Sequence, residues 1–218
     1  TTATQSGPAT ATWAMNGTGV VTNYCLYSEQ FDNAAWGSLS GGTATANTAV
    51  APDGTTTADT INCAVVYRGL GQPTALAATV GATYTFSVYL AGTVGQTCRI
   101  RVANTTGTVT AATTDVTLTA AFARYSATVT LAGGATGVMD CWVAREAGQT
   151  AASFYAWGAQ LELAAAASTY VRTTSATATS LAAFKVTGLT VSSTNMTAGQ
   201  MLTIDGRLHI LTADVVAD

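Results

Sequence analysis

The chain has 218 residues, of which 9% are charged and 48% hydrophobic, and its formal net charge is −3. That length suits one substantial β body with a small appendage. The eight Lys and Arg are scattered, which argues against a nucleic-acid partner, and no apolar run reaches the roughly eighteen residues that cross a bilayer, so membrane insertion is not expected.

Residues 1–22 are rich in Thr, Ala and Gly, with Trp13, Met15, Val20 and Val21 among them. Lacking basic residues and an apolar stretch, the start does not read as a signal peptide, and the segment is expected to be an N-terminal arm or linker. Tyr24 to Phe31 is expected to form the first strand, with Asp32-Asn33 opening a turn before Trp36. Gly37 to Thr57 reads as turn-rich sequence around Pro52-Asp53-Gly54, where proline presets one dihedral and glycine accepts a positive one.

Alternation resumes over Thr60 to Tyr67, with Ile61, Cys63 and Val65 on one side. Tyr84 to Leu90 reads as a half-buried strand, with Tyr84, Phe86, Val88 and Leu90 facing a core and Thr85, Ser87 and Tyr89 facing away. Further strands are expected at Cys98 to Val102, Val116 to Leu118, Ala123 to Leu131 and Met139 to Ala144. Phe154 to Leu161 reads as a central strand: Phe154, Ala156, Gly158 and Gln160 project to one side, and Tyr155, Trp157, Ala159 and Leu161 to the other. Glu162 would then mark the exit from the packed layer.

Many short strands at even spacing, with almost no 3.6-residue periodicity, define an all-β sandwich or jelly roll. The last segment differs: FKVTGLTV reads as a strand, and MLTIDGRLHIL as a hairpin turning at Asp205-Gly206. Such a hairpin is too small for its own core and is expected to pack on the sandwich or to complete a sheet of another copy. The expected division is 1–22, 23–180 and 181–218.

Little here can do catalysis. The single histidine, His209, alternates with Leu208 and Ile210 and is expected to face solvent, and no G-x-S-x-G motif or histidine pair is present. Glu29, Asp32, Asp53, Asp59, Asp115, Asp140, Glu146 and Glu162 read as turn formers and solvated edges. No catalytic residue and no cofactor are expected. Cys25, Cys63, Cys98 and Cys141 are far apart without a C-x-x-C pair, which disfavours zinc.

Four stretches in order, LYSEQFDNAAW, APDGTTTAD, TYTFSVYLAG and FYAWGAQLE with STYVRTT, resemble the carbohydrate-binding-module-like jelly-roll domain of bacteriophage and prophage tail and fibre proteins. The resemblance spans roughly 23–179. It implies a jelly-roll β-sandwich, to which the hairpin read in 181–218 adds a short C-terminal β-hairpin appendage, in a non-enzymatic virion structural protein whose partners are copies of itself, other virion proteins and host-surface glycans. A secreted carbohydrate-binding module is the alternative. Related modules often carry structural calcium, but Asp32 and Glu162 offer too few oxygens for an ion that takes six to eight, and no metal is expected.

If Cys98 to Val102 and Met139 to Ala144 are neighbours, as the resemblance implies, either a Cys98–Cys141 disulfide or buried free thiols would result; Cys25 and Cys63 are expected to stay free. The opposite phase of the same strands then carries Arg99, Arg101, Asp140 and Trp142 outward together. Such a group is expected either to bind a sugar, by ring stacking and hydrogen bonds to hydroxyls, or to form an Arg–Asp pair beside a tryptophan covered by a neighbouring subunit.

Overall fold

A computed structural model of the chain describes residues 20–181 without interruption and short strands at 15–16, 185–186, 201–204 and 207–210. In chain order the strands are β1 Met15–Asn16, β2 Val20–Asn23, β3 Gly37–Leu39, β4 Thr43–Ala49, β5 Ala58–Asn62, β6 Arg68–Ala77, β7 Thr83–Ala91 and β8 Thr97–Gly107. They continue with β9 Ala111–Thr117, β10 Ala123–Thr130, β11 Ala135–Arg145, β12 Ser153–Glu162, β13 Ala178–Leu181, β14 Lys185–Val186, β15 Met201–Ile204 and β16 Arg207–Ile210. The chain divides into two compact units, Gly19–Ala182, and Thr1–Thr18 with Ala183–Asp218.

In the second unit β1 pairs with β14, and β15 with β16, both antiparallel. The β15–β16 pair is the expected C-terminal hairpin. Its Asp205-Gly206 turn, the rest of FKVTGLTV, the side chain of His209 and whatever the hairpin packs against lie outside the described residues.

The first unit is an all-β jelly-roll sandwich of two five-stranded sheets. Sheet I runs β10-β7-β12-β5-β4 and sheet II β3-β6-β11-β8-β9, with every pairing antiparallel. β2 pairs with β13, which brings the two ends of the unit together. The core lies between the sheets: Tyr84, Phe86, Val88 and Leu90 of β7 share one cluster with Cys98, Ile100 and Val102 of β8 and Met139, Cys141 and Val143 of β11. Each large side chain withdrawn from water there is worth about 1.5–3 kcal/mol. The one core hydroxyl on β7 is satisfied, since Tyr84 Oη accepts from Thr79 N at 2.8 Å and donates to Ala77 O at 2.8 Å.

β7 is not half-buried. Thr85 and Ser87 on its other face are also fully buried, because residues 163–173 return across the outside of sheet I. Thr85 Oγ1 donates to Ala164 O at 2.8 Å, and Arg124 reaches both Ser87 Oγ (2.9 Å) and the carbonyl of Ser168.

β12 is the middle strand of sheet I, covered on both faces as expected, but its alternation breaks in the middle. The register slips between Trp157 and Gln160, where Gly158 takes φ +64°. A bulge inserts one residue and reverses the phase beyond it. Phe154, Ala156, Ala159 and Leu161 therefore all join the core, while Trp157 packs with Ala51 and Ala58 in a separate cluster.

Tyr24 to Phe31 is not a strand, and the ladder partners of β12 are β5 and β7. The segment crosses the bulge as a series of turns, anchored by Tyr24 N to Leu161 O (2.9 Å) and Ala159 N to Ser28 O (2.8 Å). Side chains supply the rest. Asn23 Nδ2 donates to Ala159 O (2.9 Å) and Val171 O (2.8 Å), while its Oδ1 accepts from Cys25 N (3.0 Å) and Leu161 N (3.2 Å). Local side-chain partners of this kind compete with a ladder for backbone groups.

Three carboxylates expected at solvated edges are buried instead. Asp59 accepts from Phe31 N (2.6 Å), Asp32 N (3.3 Å) and Asn47 N (2.8 Å), tying the N-terminal turns to sheet I. Glu162 does not leave the packed layer; it accepts from Gln160 Nε2 (2.9 Å), Ser168 N (3.0 Å) and Ser168 Oγ (2.6 Å). Glu29 accepts from Tyr170 Oη (3.1 Å) and pairs with Arg172 (3.0 Å). A buried carboxylate persists when its lone pairs are used, and these are.

The Cys98–Cys141 bridge is not formed, because the register of β8 with β11 sets Cys141 opposite Val102, four residues along the strand from Cys98. All four cysteines are free and buried.

Candidate functional site

The outer face of sheet II is built from cross-strand rows. Gly37 pairs with Gly71, Gly71 with Trp142, Trp142 with Arg101, and Arg101 with Thr113. Residues directly opposite in adjacent strands project to the same side, so this row sets a half-buried indole between an arginine and two positions with no side chain. One neighbouring row holds Pro73, Asp140, Ala103 and Ala111; the other holds Gly69, Ala144, Arg99 and Asp115. Arg99, Arg101, Asp140 and Trp142 thus share one patch of surface.

Their roles separate. Arg99 is committed to Asp115, Nε to Oδ1 at 2.6 Å and Nη2 to Oδ2 at 3.2 Å. That pairing holds the Asp115 carboxyl below its ordinary range. It is the Arg–Asp cross-strand pair of the second expectation, made with Asp115 and not with Asp140. Arg101 lies over the Trp142 ring, its Cζ 5.5 Å from the centroid, a cation–π contact.

On the other side of Trp142 is a shallow hollow of about 190 Å³, lined by Gly37, Leu39, Gly71, Pro73, Asp140 and Trp142 among others. Arg101 does not line it. The hollow exists because β3 and β6 present glycine beside the indole. A Cβ on Gly37 would meet only Gly71 O at 3.6 Å, so that glycine leaves room without being required by the backbone.

Asp140 borders this hollow with its Oδ1 buried and without any hydrogen-bond partner, the only carboxylate oxygen among the described residues in that condition. Burial pushes its carboxyl above the ordinary range, with the Arg101 charge pulling it partly back. A raised carboxyl holds its proton in the folded state where the unfolded chain has released it, so its contribution to stability is present at low pH. That contribution falls as pH rises from the ordinary carboxylate range through the folded pKa. Glu29 and Asp59 shift the same way for the same cause. The protein is therefore expected to melt at a lower temperature at pH 7 than at pH 4.5, and Asp140→Asn to narrow that difference. Melting curves across this range check it, and a variant with the same pH dependence as the parent contradicts it.

Sheet I carries a smaller hollow of about 90 Å³, lined by Thr60, Gly92, Ser153 and Tyr155 among others. Trp157, Tyr89 and Tyr170 form an aromatic cluster with centroids 4.9 to 6.4 Å apart, but 163–173 and the N-terminal turns close over it. Trp157 Nε1 donates to Thr57 Oγ1 (3.0 Å), and Tyr170 Oη is taken by Ser28 Oγ (2.6 Å) and Glu29. Among the described residues no group of three His, Cys, Asp or Glu is placed to hold a metal ion.

Sequence reasoning missed Gly37, Gly71 and Pro73. RGLGQPTALA does not read as a strand, because two glycines and a proline interrupt it, yet Leu70, Gln72, Thr74 and Leu76 alternate as buried residues. Pro73 is tolerated because β3 has ended and the β6–β11 register shifts beside it, so no ladder donor is missed.

No protein-family profile and no curated protein matches the chain. Among solved structures it is similar to the xylan-binding CBM22-1 domain of a Paenibacillus barcinonensis protein, at 11% identity over 71% of this chain and 100% of that one, with TM-score 0.48. It is also similar to the CBM22-1 and GH10 modules of a Clostridium thermocellum endo-1,4-β-D-xylanase complexed with xylohexaose, at 15% identity and TM-score 0.48. A third is the enzymatically active domain of bacteriophage CBA120 tailspike protein 4, at 14% identity and TM-score 0.48. The match takes in 66% of this chain and 28% of the xylanase modules, and 65% of this chain and 21% of the tailspike domain. These likenesses concern the two-sheet architecture alone.

Proposed function

We propose that the sandwich is a non-catalytic carbohydrate-binding body whose ligand lies across the outer face of sheet II, against Trp142 and over the Gly37–Gly71 hollow. The observation that carries this reading is the half-buried Trp142 indole walling an open hollow that Asp140 also lines. The C–H face of a sugar ring stacks on the tryptophan, and polar groups along the rim of the hollow hydrogen-bond its hydroxyls. Arg101 packs on the far side of the indole and steadies it. A hollow of about 190 Å³ is smaller than the enclosed pockets that hold free small molecules, and it suits one ring of a longer exposed chain.

A glycan array probed with the tagged full chain tests this. Binding is expected to fall at least about tenfold, close to 1.4 kcal/mol, in Trp142→Ala and also in Gly37→Leu, which fills the hollow without straining the backbone. Arrays that look the same for the parent and both variants overturn the reading.

The finer placement, a subunit of a phage-type particle, is supported by the four sequence stretches that carry the resemblance and by a chain of which only 9% of residues are charged. Light scattering on the same preparation separates the two settings: a multimer fits a particle subunit, and a monomer at all concentrations fits a free binding module.

A further inference from the structure

Cys25 and Cys141 meet inside the core. Their Sγ atoms are 3.5 Å apart and both residues are wholly buried. Cys25 belongs to the N-terminal turns and Cys141 to the middle of β11, 116 positions apart in the chain. The other two cysteines have different surroundings: Cys63 donates to Ala151 O at 3.4 Å at the end of β5, and Cys98 sits on β8 beside Ile100.

We infer that Cys25 and Cys141 are the disulfide-forming pair of this chain, and that their bridge staples the N-terminal turns to sheet II. Two sulfurs in van der Waals contact need to close by only about 1.5 Å to reach the bonding distance of about 2.05 Å. Cys25 lies outside the ladders, but its N and O are held by Asn23 Oδ1 (3.0 Å) and Thr173 Oγ1 (2.6 Å), so rotation of the two side chains about Cα–Cβ supplies most of that closure. In the reaction both S–H bonds break and one S–S bond forms. The two protons and two electrons pass to a low-molecular-weight disulfide, such as glutathione disulfide, which leaves as two thiols.

The order of events follows from burial. In the folded chain no solvent reaches either sulfur, and burial pushes the Cys141 thiol far above its ordinary range, so the attacking thiolate is scarce. The bridge therefore forms while the chain folds, before the core closes, and the finished reduced protein resists oxidation. Cys63 and Cys98, pushed up to about 11 and about 12 by burial, stay thiols.

The test is to refold the full chain from denaturant in a mixture of reduced and oxidised glutathione, then denature it and alkylate the remaining thiols. Digestion without reduction uses chymotrypsin as well as trypsin, because the tryptic peptide 1–68 holds both Cys25 and Cys63. Mass spectrometry should find Cys25 joined to Cys141, with Cys63 and Cys98 alkylated. The bridged form should also melt several degrees above the reduced form, since the cross-link restricts a long stretch of unfolded chain. Four alkylated cysteines, or Cys141 joined to Cys63 or Cys98, would overturn the assignment.

Discussion

Asn23→Ala is expected to lower the stability of the sandwich by roughly 3–5 kcal/mol. This amide closes four buried hydrogen bonds, to Ala159 O, Val171 O, Cys25 N and Leu161 N, and it joins three stretches of chain that share no ladder at that point. Each backbone group stranded without a partner costs about 1–3 kcal/mol, and relaxation recovers part of the sum. Asn23→Asp separates polarity from geometry: it keeps the two acceptor contacts, loses both donors and adds a buried charge, and should be about as damaging. Urea unfolding measures both. A loss below about 0.5 kcal/mol for Asn23→Ala would mean that the N-terminal turns are held by something else.

Gly69→Ala is expected to cost about 3 kcal/mol or more, or to prevent folding, by forcing β6 away from β11. A Cβ at that position would lie 2.1 Å from Val143 O and 2.5 Å from Ala144 Cα, both on the adjoining strand of sheet II. Gly42 presses on the same point from the other side, its own Cβ position being 2.2 Å from Gly69 O. Backbone cannot step aside as a flexible side chain can. Gly133→Ala, where nothing lies within 4 Å, should leave stability unchanged and serves as the control. A Gly69→Ala protein that melts with the parent would contradict the packing of β6 on β11.

The strands visible in the sequence are those with one consistently apolar phase. Tyr84 to Leu90, Cys98 to Val102 and Met139 to Ala144 each announce an inward face, and that face is the core. Because β8 and β11 are neighbours, the opposite phase follows, which is why Arg101, Asp140 and Trp142 could be grouped before any coordinates. What stayed hidden depends on contacts distant in the chain. β4 and β6 carry mostly Thr, Ala, Gly and a proline, so propensity says little and pairing decides. The bulge at Gly158 is set by the N-terminal turns that lie across it. The buried Asp59 and Glu162 look solvated until the backbone N–H groups and the serine that satisfy them are in place. Arg99 looked available to a ligand only while its partner Asp115, on a strand not yet paired with β8, was unassigned.

The most direct measurement of the central claim is a titration of the ¹⁵N-labelled chain with the soluble oligosaccharide that binds best on the array, followed by two-dimensional NMR. Ligand on the outer face of sheet II should shift the indole N–H of Trp142 and the amides of Gly37, Gly71 and Arg101, and leave the Trp157 indole unmoved. Shifts centred on Trp157 and Tyr170, or no shift at Trp142 at saturating ligand, would contradict it.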